Sequence, residues 1–175
     1  IGDAYMCAGG LPTANKTHAI DACLTAMEFR DFALRMQELN SNSKDEMMPW
    51  ELRIGLHTGS VIGGIVGTTK FAYDVWGDSV NIASRIESSS VPGKINISET
   101  TYELVKDFFV CEHRGKVSAK NKGEIHMYFL DRLKPELSAN EEGTAPNQRF
   151  QELYEKVKRG EDISSYTVDK LPLAV

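Results

Sequence analysis

The chain has 175 residues and a formal charge of −5, from 25 acidic and 20 basic side chains, with 41% hydrophobic residues. That length suits one domain with its own core, and the composition is that of a globular protein rather than a disordered or fibrous one. The acid excess, without any Lys/Arg block, argues against a nucleic-acid surface, and no apolar run approaches the roughly 18 residues of a membrane span.

The opening Ile1-Gly2-Asp3-Ala4-Tyr5-Met6 lacks an initiator Met and is read as part of a longer protein; residues 1–10 are expected to form a short strand or the start of a hairpin, closed by Gly9-Gly10. From about 16 to 40 the pattern is helical. Ala22, Ala26, Phe29, Ala33 and Met36 recur at steps of four and three, and Ile20, Cys23, Leu24 and Met27 widen that face. Residues 40–46 are a polar loop. Leu52, Ile54 and Leu56 then alternate with Arg53, Gly55 and His57, as in a strand. The glycine-studded apolar run from Val61 to Gly67 implies close backbone approach, and Phe71 to Trp76 reads as another strand. A helix is expected from Asp78, as its cap, to about Ser88. After the loop 89–93, a short strand covers Lys94 to Ile97. Ser98 with Thr101 forms half a capping box opening a helix to about Lys106. Phe108 to Glu112 and Glu124 to Leu130 are the last strands, with a basic, flexible segment between them. Residues 134–146 look like a linker, Asn147 to Arg159 like a charged helix, and 160–175 like a loose tail. Helices alternating with short strands, several adjoining in hairpins, favour an α+β sandwich over a doubly wound fold. Three scattered cysteines, Cys7, Cys23 and Cys111, make neither a disulfide framework nor a zinc site, so a reduced, intracellular setting is expected.

Four places could carry chemistry. Asn81 and Arg85, four apart on one helix, share a face, and an amide beside a guanidinium can grip a phosphate or a developing anion. The plainer reading is a surface Arg paired with Asp78 or Glu87. Asp74, in a run of Phe71, Tyr73, Val75 and Trp76, needs a donor, either a ligand amino group or a neighbouring Arg. Asp3 follows a glycine, where a carboxylate serves either as a turn residue or as a ligand to a divalent ion. Lys116, Lys120 and Lys122, near Gly115 and Gly123, suit either a triphosphate or a solvated loop. Arg53 points away from Leu52 and Ile54, to solvent or to a site. His18, His57, His113 and His126 form no metal spacing or triad in sequence.

Taken in order, three stretches resemble the catalytic domain of class III nucleotide cyclases: Ile1-Gly2-Asp3-Ala4-Tyr5-Met6; Arg53-Ile54-Gly55-Leu56-His57-Thr58-Gly59 continuing to Gly67; and Tyr73-Asp74-Val75-Trp76-Gly77-Asp78-Ser79-Val80-Asn81-Ile82-Ala83-Ser84-Arg85. The resemblance runs from Ile1 to about Leu130. It implies a ferredoxin-like or palm-type α+β sandwich: a mostly antiparallel sheet covered by helices, its N-terminal elements missing here, in a domain ending near residue 133. It implies adenylyl cyclase activity, the conversion of ATP to cyclic AMP and pyrophosphate with two Mg²⁺ or Mn²⁺ ions. By position, Asp3 matches the second of two metal-binding aspartates and Arg53 a triphosphate-binding arginine. Asp74 stands at the purine-selecting position, Val75 and Trp76 line the purine pocket, Asn81 orients the ribose, and Arg85 stabilises the transition state. Lys120 matches a triphosphate-binding lysine, with Lys122 the alternative in a shifted register. The first metal aspartate and an adenine-reading lysine would precede Ile1. Sites of this family are shared across a head-to-tail dimer, so a chain bearing Asp3 with Asp74, Asn81 and Arg85 is expected to form a homodimer with two equivalent sites. A cytoplasmic location, with an upstream sensor or membrane module, completes the expectation.

Overall fold

The computed structural model describes residues 3–41, 51–119 and 123–166. In chain order these form helix α1 (His18–Ser41), strands β1 (Ile54–Leu56), β2 (Ile62–Val66) and β3 (Ala72–Trp76), helix α2 (Asp78–Ser88), strand β4 (Ile95–Ser98), helix α3 (Glu99–Val105), strands β5 (Phe109–Ala119) and β6 (Gly123–Leu133), and helix α4 (Gln148–Arg159). A four-stranded sheet has the order β1-β4-β6-β5, and β2 and β3 form a separate antiparallel hairpin. Among the described residues only β1 with β4 is parallel. The architecture is the mostly antiparallel α+β sandwich read from the sequence.

Alternation along the strands divides the molecule into layers. Ile95 and Ile97 of β4, with Leu130 and Leu133 of β6, face a core shared with Ala19, Ile20, Cys23, Ala26 and Met27 of α1, Val105 of α3, and Phe150 and Leu153 of α4. On the opposite face Met127 and Ile125 of β6 meet Ile82 and Ile86 of α2. Thus α1, α3 and α4 cover one face and α2 the other, each burying one stripe.

Several expectations are corrected. Residues 3–10 form no strand, because no described segment pairs with them. Of the stripe expected on α1, Ile20, Cys23, Ala26, Met27 and Ala33 are buried, together with Ala19, but Phe29 and Met36 are exposed. At about 100° per residue, Phe29 and Met36 lie about 120° and 140° round the helix from Cys23, beyond the buried stripe. Asp78 is the first helical residue of α2 rather than its cap. Gly77 is the cap, with φ +134, and makes no side-chain bond. Ser98 does cap α3, accepting from the Thr101 amide. Most substantially, residues 113–119, expected as a flexible segment, continue β5, and Lys116 within it pairs with Glu124 of β6 at 2.9 Å. Residues 134–146, expected as a linker, carry a 3₁₀ turn at Pro135–Leu137 and a bridge between Ser138 and Pro146. Beyond them Phe150 meets Phe108 edge-on, and the Tyr154 hydroxyl donates to Asp21 of α1 at 2.7 Å. Among the described residues no helix is long and apolar enough to cross a membrane.

The sheet fixes α2 from beneath. Its last turn leaves the Ile86 carbonyl without a helical donor, since the Ser90 amide donates to Glu87 instead. Asn96, fully buried on β4, donates to that carbonyl at 2.7 Å. The Asn96 Oδ1 is buried and unpartnered among the described residues, so the amide is kept for its donor side. Asn96→Ala strands the Ile86 carbonyl and opens a small void. We expect it to lower the free energy of urea unfolding by about 1–3 kcal/mol. A loss below about 0.5 kcal/mol would show that α2 does not depend on this bond.

Candidate active site

The chemistry-bearing residues gather along α2 and the hairpin that leads into it. Glycine makes the turn from β2 into β3 possible: Gly67 has φ +109, and any side chain there would collide with the Lys70 carbonyl. The turn brings β3 back antiparallel, so that Asp74 stands opposite Gly64 and Trp76 opposite Ile62. Asp74 is exposed, and its Oδ1 accepts from the Val75 amide at 2.8 Å. The adjacent backbone thus supplies the donor this carboxylate needs. Val75 is half-buried, and Trp76, more open, packs across Gly64.

One residue beyond Trp76 the chain enters α2. Burial of Ile82 and Ile86 against Met127 turns Asn81 and Arg85 outward, where both are exposed. Arg85 pairs with neither Asp78 nor Glu87. Its Nη1 donates to the carbonyl of Ser118 on β5 at 2.9 Å. Arg114, also on β5, donates to the Ser89 carbonyl just past α2, with its guanidinium over the Phe129 ring. The β5–β6 hairpin therefore flanks the face of α2 that carries Arg85. Residues 120–122 at its tip, including Lys120 and Lys122, lie outside the described residues.

Glu87 is engaged elsewhere. Its Oε1 accepts from Arg53 Nε at 3.0 Å, an exposed pair worth about 0–1 kcal/mol in water. Arg53 thus sits at the C-terminal end of α2, whereas Asp74 and Trp76 precede its N-terminus. The helix between them is about 15 Å long, at 1.5 Å per residue. Asp3 is exposed in a turn. Among the described residues no group of three His, Cys, Asp or Glu side chains gathers to hold a metal ion. The donors present therefore fit only part of a two-ion site.

Sequence reasoning missed three features that shape this surface. Ser118 acts through its backbone, which no motif reports. Glu87 was read as a partner for Arg85, not Arg53. The His57 network, in which Nδ1 bonds Ser98 Oγ at 2.8 Å while Thr100 Oγ1 donates to the Thr58 carbonyl, ties the loop after β1 to the start of α3. Two of the cysteines, Cys23 and Cys111, stay protonated thiols at neutral pH. Burial pushes the Cys23 thiol far up and the Cys111 thiol up to about 12.

Comparison with known proteins identifies the family. The adenylate and guanylate cyclase catalytic domain family matches residues 1–132. An adenylate cyclase of Mycobacterium tuberculosis is 41% identical over 130 residues, covering 74% of this chain and 28% of that protein. Guanylate cyclase 2G of Rattus norvegicus is 42% identical over 135 residues, covering 74% of this chain and 12% of that protein. The chain therefore spans between about an eighth and a quarter of these relatives. Among solved structures, the guanylate cyclase domain of RhGC from Catenaria anguillulae, in complex with GTP, superposes with a TM-score of 0.58 at 33% identity, covering 72% of this chain and 66% of that one.

Proposed function

The chain belongs to the class III adenylate and guanylate cyclase catalytic-domain family, matched over residues 1–132, and within that family we propose that it is an adenylyl cyclase, with residues 1–133 as its catalytic domain. Relatives of both specificities match it, so the purine must be argued from the residues. The observation that carries the reading is Asp74, an exposed carboxylate on the strand that runs directly into α2. A carboxylate accepts hydrogen bonds only. Adenine offers it the N6 amino group, whereas guanine offers a carbonyl, a second acceptor, at the same edge.

In this reading ATP lies along the outer face of α2. Val75 and Trp76 flank the purine, Asn81 donates to the ribose, and Arg85 faces the phosphates. The ribose 3′ oxygen loses its proton and bonds to the α-phosphorus in line, while the bond to the bridging oxygen breaks and pyrophosphate leaves. Positioning and fixed charge account for the acceleration, so no protein nucleophile is needed. Arg53 and Lys120 are assigned to the triphosphate. Class III cyclases depend on divalent metal ions, Mg²⁺ or Mn²⁺, for which Asp3 would be one ligand.

A single chain holds Arg53 and Asp74 at opposite ends of α2, which supports a site shared in a head-to-tail homodimer. Ile62, Ile65 and Phe71 of the β2–β3 hairpin region, each more than 70% exposed, support the same view, since a lone domain rarely opens such a patch to water. The ATP requirement favours a cytoplasmic location.

The test is turnover of ATP and GTP with Mn²⁺ by the chain carrying its natural upstream segment. ATP should be preferred, and Asp74→Cys should erode that preference by about 1–3 kcal/mol, roughly 5–150-fold, as the mismatched acceptor is removed. Preferred turnover of GTP by the unmodified chain would overturn the adenylyl assignment.

A further inference from the structure

Away from α2, coordinating side chains meet in the middle of the β5–β6 hairpin. His113 opposes Tyr128, and His126 lies two residues before Tyr128 on β6, so the histidines are a diagonal pair on one face. Their rings meet, with His113 Nε2 2.9 Å from His126 Nδ1 and the centroids 5.2 Å apart. Tyr128 stands edge-on to His113 at 5.1 Å and is itself stacked on Tyr102 at 3.9 Å, which limits the positions open to the His113 ring.

We propose that His113 and His126 form a two-imidazole site for a borderline transition-metal ion such as Ni²⁺ or Cu²⁺, distinct from the hard-cation chemistry assigned to Asp3. Two ring nitrogens so close do not leave lone pairs facing each other: one carries a hydrogen-bonding proton, or both bind one cation. A metal ion is such a cation. With metal–nitrogen bonds of about 2.0–2.1 Å and an angle of about 90°, as in square-planar or octahedral ions, two imidazole nitrogens lie about 2.9 Å apart. The observed separation is 2.9 Å. In the neutral pair no proton need be lost. His113 carries its proton on Nδ1 and His126 on Nε2, and both facing nitrogens become ligands. Among the described residues no third His, Cys, Asp or Glu joins them, and the nearby Glu124 is paired with Lys116, so water completes the shell. Imidazole ligands select this class of ion over Mg²⁺. The pair joins β5, which carries Ser118, to β6, so a bound ion would brace the hairpin against which Arg85 leans.

The experiment is a calorimetric titration of the nucleotide-free chain with Ni²⁺, with thermal melting in parallel. We expect one ion bound per chain and a melting temperature that rises with Ni²⁺ but not with equal Mg²⁺. His113→Ala and His126→Ala should each weaken Ni²⁺ binding by about tenfold or more, with the double variant little worse than either, because the ligands act together. His126→Gln keeps a hydrogen-bonding side chain beside His113 yet should lose the ion, which separates ligation from mere packing. Ni²⁺ affinity unchanged in these variants, or no binding by the unmodified chain, would overturn the proposal, and neither outcome bears on the cyclase reading.

Discussion

Arg85→Ala should lower the rate of cyclic-nucleotide formation by about 10²–10³-fold, equivalent to roughly 2.7–4 kcal/mol of transition-state stabilisation, while leaving the fold intact. The guanidinium has five N–H donors in a rigid fork. One bonds the Ser118 carbonyl, which fixes the plane of the fork relative to β5. Ile82 and Ile86 hold the helix beneath it, so the side chain is aimed before any ligand arrives. Such preorganisation is what makes a fixed charge effective against a developing anion. Because Arg85 is exposed, its truncation should cost no more than about 0.5 kcal/mol in stability. Arg85→Lys keeps the charge but not the fork and should fall between the two. Single-turnover rates measured beside urea unfolding curves give the answer. A variant within threefold of the unmodified rate would remove Arg85 from the chemistry.

Gly55→Ala should damage stability and rate together. A Cβ at position 55 would overlap the backbone N and Cα of Glu87 and come within 2.7 Å of its Cβ. Carbon atoms pack at about 3.5–4.0 Å, so β1 and α2 must separate by about 1 Å. Those atoms belong to a helix backbone and cannot swing aside, and overpacking of this kind costs about 1–3 kcal/mol. The same shift moves Arg85, two residues before Glu87, and strains the bonds from Asn96 and Arg114 that hold the end of α2. A displacement of about 1 Å at a positioned group can cost on the order of 10²-fold in rate. Gly55→Ala with unchanged melting and turnover would mean that β1 and α2 part without disturbing the face that carries Asn81 and Arg85. Comparison with Arg85→Ala is informative, because only Gly55→Ala should lower stability and turnover together.

Much of the molecule was legible because it depends on neighbours in sequence. The alternation Leu52, Ile54, Leu56 announced β1, and the placing of Ile82 and Ile86 opposite Asn81 and Arg85 announced both the buried and the open sides of α2. Ser98 was readable as a cap because a cap bonds an amide three residues away. The family, too, was legible, since the run from Tyr73 to Arg85 places its distinctive residues within one hairpin strand and one helix.

What tertiary structure alone decided is the pairing of distant groups. Arg53 meets Glu87 across 34 positions and Arg85 meets Ser118 across 33, and composition or periodicity cannot report either. The same holds for β5: its length comes from hydrogen bonds to β6, which override a glycine and lysine content that read locally as a loop. Gly55 looked like one more residue in an alternating strand. It is required because a helix backbone 32 residues later lies where its side chain would be. Local pattern determines which elements form and which face each one buries. Only the packing of those elements determines which atoms meet, because contacts between distant segments follow from excluded volume and hydrogen-bond satisfaction across the whole fold.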